Sequence, residues 1–134
     1  MTFSKTEAKQ VISVGDVDEL VKSAKLLGKD LSRQLTTSQI RSFFGEVRQI
    51  EMAWRQDGGK QADEAYRRIV LLQPKLAYQS KRERGRGVEI LKEALDPCID
   101  EIRSAPVKDR KLYFGRFVDF FEAILAYHKE AGGN

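Results

Sequence analysis

Apolar residues recur along this chain at three- and four-residue intervals, in runs that suit helices and never in the alternation a strand requires. Val17, Leu20, Val21, Ala24, Leu27 and Leu31 trace a first stripe that Asp16 or Gly15 opens; Asp18 and Glu19 lie near its positive end, and Gly28 weakens its last turn. The clearest start is Thr36-x-x-Gln39, a capping box with Leu35 and Ile40 at the flanking staple positions. Ile40, Phe43, Phe44, Val47, Ile50 and Trp54 then share one side, and Gly58-Gly59 ends the run. A third helix begins near Lys60 and shows Ala62, Ala65, Tyr66 and Ile69. Pro74 predicts a break or kink, after which Leu76-Ala77-Tyr78 resumes a short helix before Gly85 and Gly87. Val88, Leu91, Leu95, Ile99 and Ile102 stay in phase across Pro97, which either kinks one helix or stands first in a new one capped by Asp96; the kink is preferred. The last helix runs from about Lys108 to Lys129, with Phe114, Phe117, Phe121, Ile124, Leu125 and His128 on one broad face and Phe120 and Tyr127 extending it.

The pattern predicts an all-α protein, a compact bundle of about five helices. Residues 1–14 show no period and are expected as a loose N-terminal arm, with residues 15–134 forming a single helical-bundle domain. At 134 residues the chain is long enough to bury a core without staples. Its one cysteine, Cys98, excludes an internal disulfide and a Cys-based zinc site. No apolar run reaches bilayer length and the N-terminus has no signal-like core, so a cytoplasmic setting without membrane contact is expected.

Charge changes the picture. The formal net charge is +4, but residues 67–86 alone hold seven basic side chains against Glu83, and the flanking stretches are neutral or slightly acidic. Such a window makes a local positive potential that the overall balance hides.

Catalytic chemistry finds little support. His128 is the one histidine and falls on an apolar face, Cys98 has no partner of recognisable spacing, and Gly85-Arg86-Gly87 lacks the context of a nucleotide-binding turn. The carboxylates Asp16, Asp18, Glu19, Asp100 and Glu101 read as helix-terminal charge and solvation rather than as a metal site. No catalytic residue, metal or cofactor is therefore expected.

Polyanion binding fits better. Arg67, Arg68, Lys75, Lys81, Arg82, Arg84 and Arg86 are the cations of the basic window, its last part kept pliable by two glycines, and Tyr78 offers a face for a base or ribose. Arg41, Arg48 and Arg55 repeat every seven residues along the second helix, a ridge beside its apolar stripe that can line a groove edge. Arginine stems also simply cover apolar surface, and a basic loop is often only solvated. A helical adaptor whose basic surface meets an acidic protein partner is the alternative function.

The run Leu35-Thr36-Thr37-Ser38-Gln39-Ile40-Arg41 resembles the small subunit of type III-A CRISPR–Cas (Csm) effector complexes. Two further blocks agree in order: Pro74-Lys75-Leu76-Ala77-Tyr78 with Lys81-Arg82, and Phe120 through Lys129. The resemblance implies a compact, non-catalytic helical protein of a cytoplasmic ribonucleoprotein of antiviral defence. It would line the guide–target RNA channel in several copies and touch neighbouring small subunits, the backbone subunits and the large polymerase-like subunit. It implies backbone contacts to RNA at Arg41, Lys75, Lys81 and Arg82, whereas Arg48, Arg67, Arg68, Arg84 and Arg86 rest on charge alone. Exposed parts of the aromatic-rich last helix would allow a homodimer in isolation.

Overall fold

The computed structural model describes residues 3–55 and 62–134, with the side chain of Arg55 excepted. The expected glycine stop at Gly58-Gly59, the helix start near Lys60 and the Arg55 side chain lie outside the described residues. Among the described residues six α-helices occur in the order α1 (Lys5–Ala8, continued by a π-helical turn Lys9–Val14), α2 (Val17–Leu31), α3 (Thr37–Arg55), α4 (Ala62–Arg82), α5 (Gly87–Ser104) and α6 (Arg110–Glu130), the last preceded by a 3-10 turn at Val107–Asp109. There is no strand among the described residues. No helix is long and apolar enough to cross a membrane among them.

The caps act as the sequence predicts. Asp16 accepts from the Glu19 amide at 3.1 Å and opens α2. Thr36 and Gln39 bond reciprocally, at 2.9 Å to the Thr36 amide and 3.1 Å to the Gln39 amide, and open α3. Leu35 and Ile40 beside them are buried.

Residues 1–14 require a correction: from Lys5 to Val14 the segment is helical, not a loose arm. Ser4-x-x-Glu7 is itself a capping box, and the Ser4 hydroxyl holds the Glu7 carboxyl below its ordinary range. Ala8, Val11 and Ile12 are buried, and Phe3 stacks on Phe120 at 5.1 Å between ring centroids. One turn of apolar spacing is too short to read as a period, yet it suffices to dock a helix on a ready surface. Arg116 fixes the end of the segment by donating to the carbonyls of Ile12 (2.9 Å) and Ser13 (3.0 Å).

Neither proline breaks its helix, in keeping with the reading preferred at Pro97. α4 runs through Pro74 without a break, since Pro74 lies on an exposed face where water can serve the carbonyl it leaves unpaired. α5 likewise continues through Pro97. Asp96 caps no new helix; its carboxylate takes Lys92 from the turn before at 2.7 Å.

α6 is the central helix and packs against α2, α3, α5 and the N-terminal segment. Phe114, Phe117, Val118, Phe120, Phe121, Ile124 and His128 are buried around much of its circumference, as a helix enclosed by others demands. Trp54 stacks on Phe114 at 5.5 Å, and Phe44 meets Phe121 edge-on at 5.2 Å. All four phenylalanines of α6 are in the core. His128 is 1% exposed, and its Nε2 donates to the Leu35 carbonyl at 2.7 Å. Gly28 explains the closeness of α2 and α6: a Cβ there would meet the His128 amide nitrogen at 2.8 Å and the Ile124 carbonyl at 2.9 Å.

Candidate nucleic-acid interface

α4 buries Ala65, Ile69, Leu72 and Leu76 and turns its other side outward. Leu71, Lys75, Tyr78 and Arg82 follow at intervals of four, three and four, so they form one ridge along that outer side. All four are exposed, and Tyr78, at 63%, is the only exposed aromatic among the described residues.

The ridge borders a groove between α3 and α4. One part, about 600 Å³, is lined by Phe43 and Glu46 from α3 and by Leu71, Pro74, Lys75 and Tyr78 from α4. An adjoining part of about 330 Å³ shares Ser42, Phe43 and Gln79 with it and continues to Arg82, Glu83 and Val88. The half-buried Phe43 lines both parts.

The cations of the basic window are not equally free. Glu46 accepts Lys75 at 2.7 Å and lies 3.9 Å from Arg68. Arg67 reaches Glu64 at 3.6 Å and Arg86 reaches Glu89 at 3.6 Å, each pair largely exposed. Arg86 also borders a separate groove with Asp30 and Glu93, so carboxylates surround it. Exposed pairs of this kind are worth well under about 1 kcal/mol and exchange readily for a phosphate. Lys81, Arg82 and Arg84 are exposed and enter no ion pair among the described residues.

The loop that carries Arg84 is less pliable than the glycines suggest. Gly85 takes the left-handed φ of +84°, which glycine adopts without strain. Gly87 is buried, and a Cβ there would collide with the Gln34 carbonyl and Leu35. The start of α5 is thus pinned to the α2–α3 connection, and Arg84 hangs from a fixed hinge.

The second basic feature does not join the first. Arg41 is exposed and lines a small groove of about 160 Å³ with Leu125, Ala126 and Lys129 of α6, on the side of α3 away from α4. Arg48, one heptad on, pairs with Glu51 at 2.9 Å and lies 5.9 Å from the Phe44 ring centroid. The groove that Arg41 edges therefore lies between α3 and α6. Spacing along one helix could not say which neighbour would border it. Sequence reasoning also missed Glu46, whose role as shared acceptor for Arg68 and Lys75 appears only when α3 and α4 come together.

Other chemistry is sparse. Burial, with Glu101 and Asp100 nearby, pushes the Cys98 thiol well above its ordinary range. Among the described residues no group of three or more His, Cys, Asp or Glu is placed to hold a metal ion.

No curated protein and no solved structure matches this chain. The family model described as Csm2 Type III-A, however, matches residues 15–134, everything from the cap of α2 onward, and the chain belongs to that family of Csm-complex small subunits.

Proposed function

We propose that this Csm small subunit holds guide and target RNA by the sugar–phosphate backbone, without reading bases, along the C-terminal end of α4. The observation that supports the reading is Tyr78, an exposed ring one turn from Arg82 on a ridge that passes into Lys81 and Arg84. Unpaired guanidinium and ammonium groups neutralise phosphates and release counterions, and the ring supplies a stacking face that tolerates any base. Lys75, Arg67, Arg68 and Arg86 contribute by exchanging their exposed carboxylate partners for phosphate. Arg41 and Arg48 form a separate edge on the α6 side. The subunit supplies binding surface rather than catalysis, and neighbouring small subunits, backbone subunits and the polymerase-like subunit complete the channel.

The test is a variant with Lys81, Arg82 and Arg84 all changed to alanine, titrated with two unrelated single-stranded RNAs over a range of salt. Both RNAs should weaken by a similar factor, and the log–log salt slope should fall by about 2, at about 0.7 per lost phosphate contact. Weakening of one sequence alone, or of neither, refutes backbone binding here. The apolar wall formed by Phe43, Leu71 and Pro74 favours a second reading, an adaptor for an acidic protein partner. An adaptor would show little affinity for generic RNA at any salt.

A further inference from the structure

Helix α2 and the turn after it carry a cationic row that the charge count conceals, because Asp18, Glu19 and Asp30 of the same helix and acidic residues elsewhere in the first 66 residues cancel it. Lys22, Lys25, Lys29 and Arg33 recur at intervals of three, four and four. All are exposed, and none enters an ion pair among the described residues. Lys25, Lys29 and Arg33 line a groove of about 480 Å³ between the second half of α2 and the end of α6, together with Ser32, Tyr127 and Glu130.

The chemistry of this groove is that of a strand of phosphates. Lys25 and Lys29 stand about 6 Å apart along the helix axis, one turn from each other, and Arg33 follows in the turn just past the end of α2. The half-buried Tyr127 gives the groove an aromatic element fixed against the α2–α6 seam. Glu130 is the single carboxylate in the lining, so the groove keeps a net positive charge. Asp30, in the middle of the row by sequence, borders the opposite groove beside Arg86 and Glu93. Cations near a helix C-terminus also complement its dipole, but that effect fades within the last turn. Lys25 lies six residues before the end of α2 at Leu31, beyond its reach.

We infer that the α2–α6 groove is a second single-stranded RNA site, gripping the phosphodiester backbone with Lys25, Lys29 and Arg33 while Tyr127 packs against a base or sugar. The inference rests on RNA as the ligand class proposed above but on none of the same residues. Its consequence is that one chain engages two strand segments at once, one beside Tyr78 and one beside Tyr127.

The experiment titrates the full chain with a short mixed-sequence RNA carrying 4-thiouridine, reading stoichiometry, salt slope and crosslinked peptides. It compares the wild type, K25Q/K29Q/R33Q and K81A/R82A/R84A; the glutamines keep the exposed stems, and the melting temperature verifies folding. Wild type should take up two oligonucleotides and crosslink near both tyrosines. The α2 variant should lose one of them, lose the crosslinks around Tyr127, and show a slope lower by about 2. If the α2 variant behaves as wild type while the α4 variant loses binding, the second site is refuted and the α4 reading stands. If only the α2 variant loses binding, the α4 reading falls and the groove stands. If wild type binds no RNA, both fail. If a polyglutamate peptide binds in place of RNA and the α2 variant abolishes it, the groove serves a protein partner and the inference is overturned.

Discussion

The α2–α6 seam and the α3–α4 groove are two helix pairs of the same small protein, built to opposite ends. At the seam, Gly28 lets α2 approach the main chain of α6, and the buried His128 ties α6 to the Leu35 carbonyl at 2.7 Å. At the groove, Phe43, Leu71 and Tyr78 line an open cleft, and Lys75 and Arg82 border it with charge. Closure removes the seam's main chain from water and leaves a ligand only the outer groove lined by Lys25, Lys29 and Arg33. Openness costs the groove contact area and leaves it charges and an aromatic ring that a strand can use. Stability thus rests on the buried contacts of the seam and binding on exposed side chains, and substitutions should separate them.

The largest expected effect is at the seam. Gly28→Ala raises helix propensity, yet its Cβ must push against α6 main chain, so it should lose about 1–3 kcal/mol of stability, read as a fall in melting temperature. A gain instead would mean that the seam is looser than described. His128→Leu leaves the Leu35 carbonyl buried without a donor and should cost on the order of 1–3 kcal/mol in a denaturant titration, with RNA affinity retained by the folded fraction.

At the groove the balance reverses. Tyr78→Ala should weaken single-stranded RNA binding by roughly 1–3 kcal/mol, about thirtyfold at the centre of that range, and leave the melting temperature unchanged. Tyr78→Phe should keep the affinity, because stacking needs the ring and not the hydroxyl. If Tyr78→Ala lowers stability but not affinity, the ring serves packing.

Smaller effects sharpen the contrast. Gly45 lies mid-helix in α3 with nothing within 4 Å of a built Cβ, so Gly45→Ala should stabilise by about 0.5–1 kcal/mol, opposite in sign to the same change at Gly28. Asp119, on α6, has its carboxyl raised above its ordinary range by burial, then by Glu122 and Glu51. A folded-state value above the unfolded one means that the ionised form is disfavoured by folding, so this group's favourable contribution is full at acid pH and lost as pH rises through the raised value. Asp119→Asn should therefore be slightly more stable than wild type at neutral pH, and the difference should vanish on acidification in parallel melting curves.

Much of this was legible beforehand where the signal is local. The capping box of α3, the heavy apolar stripes of α3, α5 and α6 and the placement of His128 on a packed face follow from spacing and side-chain chemistry within a few turns. The N-terminal helix was not, because Ala8, Val11 and Ile12 make a single turn of pattern and depend on Phe120 to receive Phe3. Whether Pro74 would end its helix was not legible either, because a proline's cost depends on whether water reaches the freed carbonyl, which is set by the face it occupies.

The same division holds for the candidate site. Sequence alone determined which helices exist, the family to which their blocks belong and how many cations the chain carries between Arg67 and Arg86, since these depend on neighbours along the chain. Only the tertiary structure decided which cations are free. Glu46 comes from another helix to meet Lys75 and Arg68, Asp30 and Glu93 gather beside Arg86, and Arg41 faces α6 instead of α4. A charge's neighbours in space come from packing, and Coulomb energy depends on that distance, whatever the separation along the chain.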